Sequence, residues 1–477
     1  MTIAEMKKII EKTKKYFVAF NDAAEEARRY YRNQTDITFK DPDEGNKKGP
    51  LRNADNRTPN NFHRILVDQK TSYALTTPPQ FDLQHKDHDK VEQVSIMSRI
   101  KNKFAKTPQV GQDFEVNAQV ENVLGDRFQK TVKRLGTQAS NYGVGCLHFW
   151  IDGQNTFKYV TIDPTQIIRI YSETLDDELI AIIRTYDKDG YVYYEYWDDK
   201  QQYIFRVLDS TDKWERLEDE EMHHEWGRVP FILFYNNDEK LRDLDSYKGH
   251  IDIYDKVYNG FVNDVEDIQQ IIMILKGYGG EDPAELNEQL RRFKAIPLDD
   301  ASGEIKALEV KIPVEARKIL LEQCEIRLYK DGMGLDPFDE RIGNASSGEA
   351  IKFKYAMLDM KANQMVSEFK LSLTEFIRCV LIYLGHNPED YPIIEQTWTK
   401  TAIKNDFERA QIISHLATET SKENIAKNNP LVDDWQRELE IQLEEQLGDM
   451  QMEDMYIDQE AMDEPTEGEL ENVEDEQ

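Results

Sequence analysis

The stretch SYKGHIDIYDKVYNGFVNDVEDIQQII, residues 246–272, decides how the rest of the chain is read. Ile251, Tyr254, Tyr258, Phe261, Val265, Ile268 and Ile272 follow one another at alternating steps of three and four, which keeps them on one seam of a helix. At 1.5 Å per residue the run predicts a rod about 40 Å long that packs lengthwise against other helices.

A small α/β insert follows. IMILKGYGG (272–280) reads as strand and turn, and DPAELNEQLRRF (282–293) as a helix with Asp282 at its N-cap, Pro283 at N1 and Glu285 at N3. KAIPL and EIKALEV are strand candidates joined by DDASG. PVEARKILLEQCEIRLYKDG (313–332) then predicts a second helix, stopped by Gly332 and Gly334. Two rods thus bracket a compact foot, and 313–331 is the one segment long enough to line the first rod. Part of the seam is therefore expected to meet a neighbouring copy.

Upstream, residues 3–32 read as an amphipathic helix, 41–50 as a turn-rich loop, NNFHRILVDQKTSYALTTPP (60–79) as a helix ended by Pro78 and Pro79, and 116–140 as helical. From NYGVGCLHFWID (141–152) the pattern changes to β-branched and aromatic alternation. Strands are predicted in TFKYVTI, ELIAIIRTYD, GYVYYEYWD, QYIFRVL and VPFILFYNN, with KDG and DDKQ as turns. The fold class is α+β, predominantly helical, with 1–245 mixed.

Downstream, DERIGNASSGEAIKFKYAMLD (339–359) packs small residues into a loop before a long helical pattern. Leu358, Ala362, Met365, Phe369, Leu373, Phe376, Val380 and Leu384 keep one face of that helix apolar. Further helices are expected over 399–447. From Gly448 onward there is no Lys or Arg, so a solvated, disordered acidic tail is expected over 448–477.

The chain has 477 residues, enough for two or three cores. Mean hydropathy is −0.71, and the longest apolar run, IIMIL at 271–275, is far short of the roughly 20 residues of a membrane span. The N-terminus lacks the apolar core of an export signal. Cys146, Cys324 and Cys379 lie in apolar patterns, which fits buried thiols in a reducing compartment. With 60 basic and 92 acidic residues the net charge is −32. That argues against a broad clamp on polyanionic DNA, though not against a surface past which DNA slides.

Chemical motifs are sparse. No Walker sequence occurs, and 339–359 lacks the lysine of a phosphate cradle. His85 and His88 beside Asp87 and Asp89 lack further ligands, and His223 and His224 are equally isolated, so solvated loops are the simpler reading. Asp252, Asp255, Asp264, Glu266 and Asp267 line the first rod. They could hold Mg²⁺ in a metal-dependent nucleic-acid enzyme, or simply form a polar helix face. The tyrosines of YDKDGYVYYEYW (186–197) could stack bases, but alternating strand tyrosines usually form cross-strand pairs.

Three stretches together resemble tailed-phage portal proteins of the SPP1 Gp6-like family: NRTPNNFHRILVDQKTSYALTTPP (56–79), WGRVPFILFYNN through ILKGYGG (226–280), and NASSGEAIKFKYAMLDMKANQMVSEF (344–369). The resemblance implies a portal fold with wing (1–245), stem helices (246–272 and 313–331), clip (273–312), tunnel loop (332–349), long wing helix (350–385) and helical crown (386–447). It implies a non-enzymatic, cofactor-free homo-oligomeric ring, twelvefold in the capsid, at one vertex of the virion after assembly in the host cytoplasm. Double-stranded DNA would pass through it, and terminase, capsid and scaffold proteins and a head-tail adaptor would be its partners, with no membrane or small-molecule substrate. Arg341, Asn344, Ser346, Ser347, Lys352 and Lys354 would face DNA, though Lys352 and Lys354 could equally just solvate their helix. Arg291, Arg292 and Lys294 in the clip would contact partners or be plain surface. A capsid scaffold or adaptor without a channel is the alternative from a different class.

Overall fold

The computed structural model describes residues 1–39, 54–86, 108–176, 178–208, 211–268, 272–276, 304–308, 312–336 and 348–400, with the isolated positions 425, 432, 437 and 441. Met1–Asp339 and Tyr355–Ala402 form one compact unit; Glu340–Lys354 and Ile403–Gln477 form a second. The described helices are α1 (Ile3–Tyr31), α2 (Phe62–Leu75), α3 (Pro108–Leu124), α4 (Phe128–Tyr142), α5 (Lys248–Ile268), α6 (Val314–Asp331) and α7 (Gly348–Tyr383), besides single-turn pieces. The chain is α+β, as the sequence predicts.

The strands are β1 (Gln80–Gln84), β2 (Val144–Ile151), β3 (Phe157–Ile162), β4 (Ile167–Tyr171), β5 (Leu179–Lys188), β6 (Tyr191–Trp197), β7 (Gln202–Leu208), β8 (Lys213–Arg216), β9 (Phe231–Tyr235), β10 (Ile272–Lys276), β11 (Glu304–Leu308) and β12 (Ile393–Thr397). They form a five-stranded sheet β4-β5-β6-β7-β8, a three-stranded sheet β3-β2-β9, and the pairs β1-β12 and β10-β11, all antiparallel. The KDG turn closes β5 on β6 with Asp189 and Gly190 both at positive φ (53° and 79°), the backbone a two-residue hairpin turn needs.

The main core forms around α7. Leu358, Ala362, Met365, Phe369, Leu373, Phe376 and Val380 are buried among side chains of α2, α3, α4 and the three-stranded sheet. Phe369 meets Phe234 edge-on at 5.0 Å, and Phe376 meets Tyr159 at 5.4 Å. The other face of β2 and β9 packs through Cys146 and Phe231 on Ile182 and Trp197 of the five-stranded sheet. The opposite face of that sheet takes Met6, Ile9, Ile10 and Phe17 of α1 on Ile168, Ile183 and Phe205. All three cysteines are buried and free.

Several expectations change. The helical span near 116–140 is two helices, because Gly125 adopts φ 59° between α3 and α4. β1, β4 and β8 are not foreseen by the sequence pattern, nor is β12, which pairs with β1 where the sequence predicts a helical segment from 386. The first rod ends at Ile268, and Ile272 already belongs to β10. Gly332 and Gly334 do not stop α6 by left-handed geometry: Met333 takes the positive φ (50°), while a Cβ on either glycine would strike the Leu66 side chain, at 2.6 and 2.2 Å. They are glycines because α2 passes so close.

The alternating tyrosines are cross-strand pairs: Tyr186 on Tyr193 at 5.2 Å, and Tyr196 against Tyr203 at 6.0 Å. Arginines do lie over them, Arg184 on Tyr186 and Arg206 on Tyr191. Each is also paired to a carboxylate, Glu195 and Glu215 respectively, which favours packing over base stacking.

His63 is fully buried and His148 partly so. His63 lies between Tyr247 (Nδ1 to hydroxyl, 2.7 Å) and Asn141 (Nε2 to Oδ1, 2.8 Å). The Asn141 amide nitrogen donates to Thr137 O, so its oxygen faces the ring and the neutral imidazole donates from Nε2. Burial pushes the His63 pKa down to about 4, from 6.5, and burial does the same to His148. The unfolded chain therefore binds protons first as pH falls, and stability drops between 6.5 and 4, by about 3 kcal/mol per histidine at pH 4. We expect His63→Gln to remove about half of the loss that the two histidines cause in this window, read as the difference in urea midpoints between variant and wild type. An unchanged slope would refute the assignment.

Candidate functional site

The rod that the seam predicts is α5, and α6 lies antiparallel against it. At one end Arg317 of α6 binds the Asp264 carboxylate and donates to Gly260 O; at the other His250 Nε2 meets Asp331 at 2.9 Å. Between these ends Ile251 and Tyr254 pack with Leu328 and Tyr329, and Phe62 of α2 caps the cluster edge-on to Tyr254 at 4.9 Å. The pair β10-β11 connects the far ends of the two rods in sequence, registered Ile272 to Leu308 and Lys276 to Glu304.

The buried row of α5 is not the apolar seam alone. Val265 is 44% exposed, whereas Asp255 and Asn259 are almost fully buried. Their partner is segment 54–60. The Asn60 amide donates to Asp255 Oδ1 (3.1 Å), the Thr58 amide to Asn259 Oδ1 (2.7 Å) and the Asn56 amide to Asn263 Oδ1 (2.7 Å). Two residues of extended chain rise about 6.7 Å and four residues of helix about 6 Å. Alternate amides therefore stay in step with side chains four apart, and an irregular segment has its donors satisfied by a helix face.

This arrangement accounts for the carboxylates considered as metal ligands. Asp252 binds the Tyr30 hydroxyl and Lys248 (2.8 Å), Asp255 accepts from Thr35 and Asn60, Asp264 is held by Arg317, and Glu266 accepts from Asn56 (2.7 Å). They point to different partners, and among the described residues no group of three or more potential ligands converges. Burial raises the Asp255 pKa against the pull of its Thr35 and Asn60 hydrogen bonds. The side chain of Asp267 lies outside the described residues.

Where the rods meet α7, a buried charged cluster forms. Lys70 of α2 donates to Asp243 (2.9 and 3.0 Å) and to Asn236 Oδ1 (2.6 Å), and Asn236 Nδ2 donates to Asp243 (2.8 Å). Lys361 of α7 reaches the same carboxylate at 3.3 Å and donates to the Gly332 carbonyl (2.8 Å). Burial works to raise the Asp243 pKa, but Lys361, Lys70 and the Asn236 amide outweigh it and leave the carboxyl well below its usual range. Burial pushes Lys70 down to about 8 in spite of Asp243. Beside this cluster the Gln69 amide clasps Leu335, accepting from its N–H (3.0 Å) and donating to its carbonyl (2.7 Å). The chain leading from α6 toward 337–347 is thus fixed at Gly332 and Leu335.

None of the side chains expected to face DNA is among the described residues. Arg341, Asn344, Ser346 and Ser347 lie outside the described residues, as do Arg291, Arg292 and Lys294, His88 with Asp87 and Asp89, and the 448–477 tail. Lys352 and Lys354 fall in the first turns of α7, with their side chains outside the described set. His85 packs edge-on against Tyr391, and His224 stacks on Trp197.

The model of the family described as "Phage portal protein, SPP1 Gp6-like" matches residues 19–454. The "Portal protein" of Clostridium phage phiCD119 is 37% identical, covering 88% of this chain and 92% of that protein. The "Portal protein" of Bacillus phage SPP1 is 28% identical, covering 95% and 86%. A solved structure titled "Neck of native GTA particle computed with C12 symmetry" covers 77% of this chain and 88% of that one at 10% identity and a TM-score of 0.39, a likeness too slight to bear on fold or assembly. With the family pattern running over nearly its full length, the chain belongs to the SPP1 Gp6-like phage portal protein family.

Proposed function

We propose that copies of this chain close into a ring, twelvefold in the capsid, at one vertex of a phage head, and that double-stranded DNA enters and leaves through its centre without covalent chemistry by the chain. In this reading α5 and α6 are the stem, 273–312 is the clip on which terminase and later an adaptor dock, 332–349 is the tunnel loop, and 386–447 the crown. Besides family membership, one observation supports it above all. Ile253, Val265, Val314, Ile319, Leu320 and Ile326 of the antiparallel pair are between 44 and 56% exposed, and Ile319 and Ile326, seven apart, share one face of α6, apolar side chains that a neighbouring copy would cover.

The clasps at Gly332 and Leu335 support the tunnel-loop reading, since a loop that meets moving DNA needs a rigid base. Arg341, Asn344, Ser346, Ser347, Lys352 and Lys354 would supply sparse phosphate contacts in a chain of net charge −32, enough to guide DNA without holding it. Arg291, Arg292 and Lys294 would meet partners at the clip.

Native mass spectrometry with negative-stain microscopy of the full chain tests the reading. Closed rings with a hole that admits a DNA duplex are expected; a monomer or dimer at high concentration and low salt would refute it, and rings without a hole would favour a scaffold or adaptor. Deleting 342–347 should leave the ring population unchanged while particles fail to fill with DNA. Loss of rings on deletion would make the loop an assembly element instead.

A further inference from the structure

A groove of about 490 Å³ lies between α1, β4 and the loop at 240–242. Phe17 and Phe20 of α1 form one wall, and Ile167, Ile168 and Arg169 of β4 the other. Ile168 packs on α1 while Ile167 packs toward β2 and β9, so residues from both faces of β4 line the groove. That places it along the free edge of the strand. β4 is terminal in its sheet, and no described strand pairs with its other side. An edge strand beside an apolar groove offers both main-chain hydrogen bonds and a place for side chains.

The charge around the groove contrasts with the chain as a whole. The Arg169 guanidinium lies 4.6 Å from the centre of the Phe20 ring and has no carboxylate partner among the described residues. The Lys240 ammonium lies 4.9 Å from the Tyr235 ring centre and 5.6 Å from that of Tyr171. The acidic side chain at this rim, Asp245, is engaged by Arg242. A cationic rim in a chain of net charge −32 selects an anionic occupant, and the open backbone edge selects a peptide over a nucleic acid, which has no strand edge to offer.

We propose that this groove docks an extended acidic segment of a partner protein, which adds to β4 as an antiparallel or parallel strand. Its alternate apolar side chains would enter between α1 and β4, and the intervening carboxylates would meet Arg169 and Lys240. The groove is complete within one copy, since every group lining it belongs to one chain.

The test uses the full-length protein and two short fluorescent peptides, one alternating valine with glutamate and the other valine with lysine, followed by anisotropy at low salt. The glutamate peptide should bind and the lysine peptide should not. Methylating alternate backbone nitrogens of the glutamate peptide, on each edge in turn, should abolish binding for one edge. Arg169→Glu should weaken binding about tenfold, and Lys240→Gln provides a second, milder variant should Arg169→Glu unfold. Equal binding of both peptides, tolerance of methylation on both edges, or unchanged affinity in the folded variants would each overturn the proposal.

Discussion

Asp243→Ala is expected to destabilise the fold by about 3–5 kcal/mol, the range for removing one member of a buried ion pair. Two cations depend on this carboxylate: Lys70, whose side chain is 1% exposed, and Lys361, 11% exposed. Without it the Lys70 ammonium keeps only the Asn236 oxygen. In a Lys70→Met background the same substitution should cost under about 2 kcal/mol, because no stranded charge remains on α2, giving a coupling in the double-mutant cycle of at least about 1 kcal/mol. The pH dependence adds a sign. Lys70 already has a folded pKa depressed to about 8 from 10.5, and losing Asp243 depresses it further. Folding then releases the lysine proton, so stability rises with pH between the folded and unfolded pKa values. The deficit of Asp243→Ala should narrow from pH 7 to pH 9 in urea titrations. A deficit that stays constant would mean that lost hydrogen bonds, and not the buried charge, set its size.

This cluster marks where sequence reading stops. Lys70 lies in a helix that the apolar spacing of Phe62, Leu66 and Tyr73 identifies, yet a lysine in such a helix normally faces water. Its acceptor is 173 residues away, and nothing in local spacing ties the two together. The glycines at 332 and 334 carry a signal that was legible in kind but not in cause. They do end a helix, yet the reason is the approach of Leu66 and not a left-handed turn.

The rods show the same division. Apolar period located α5 and α6 to within a few residues, because a helix packed on another must repeat its contacts every three or four positions. What the period could not disclose is that α5 has a second working face. Asp255, Asn259 and Asn263 also recur four apart, but polar residues at that spacing ordinarily mean a solvated side. Only the opposite member, the alternating amides of Asn56, Thr58 and Asn60, turns the spacing into a contact. Both members fall within the stretches that carry the family resemblance, so the resemblance rests partly on a contact between them. Strands were legible where β-branched and aromatic residues dominate, down to the five residues of β9 (FILFY). β8 (KWER) and β12 (IIEQT) carry too few of them to stand out.

Replacing Ile319 and Ile326 together by Asp should abolish rings while leaving each copy folded. The two residues are seven apart on α6, hence on one face, and are 56 and 53% exposed in a single chain. Their substitution therefore removes little from the fold itself, and the thermal midpoint of the separated copies should move by no more than an exposed surface change does, within about 0.5 kcal/mol. If a neighbour covers them, each contact loses up to about 2 kcal/mol of apolar burial per side chain and must in addition desolvate two carboxylates with no cation assigned to them. In a closed head-to-tail ring the same contact recurs between every neighbouring pair, so the loss recurs around the circle and no assembly can avoid it by omitting one contact. Native mass spectra should then show monomers at concentrations where the wild type is fully ringed, and Ile319→Val with Ile326→Val, which keep the surface apolar, should restore rings. Rings that survive both aspartates would place this face of α6 against solvent and move the subunit contact elsewhere on the chain.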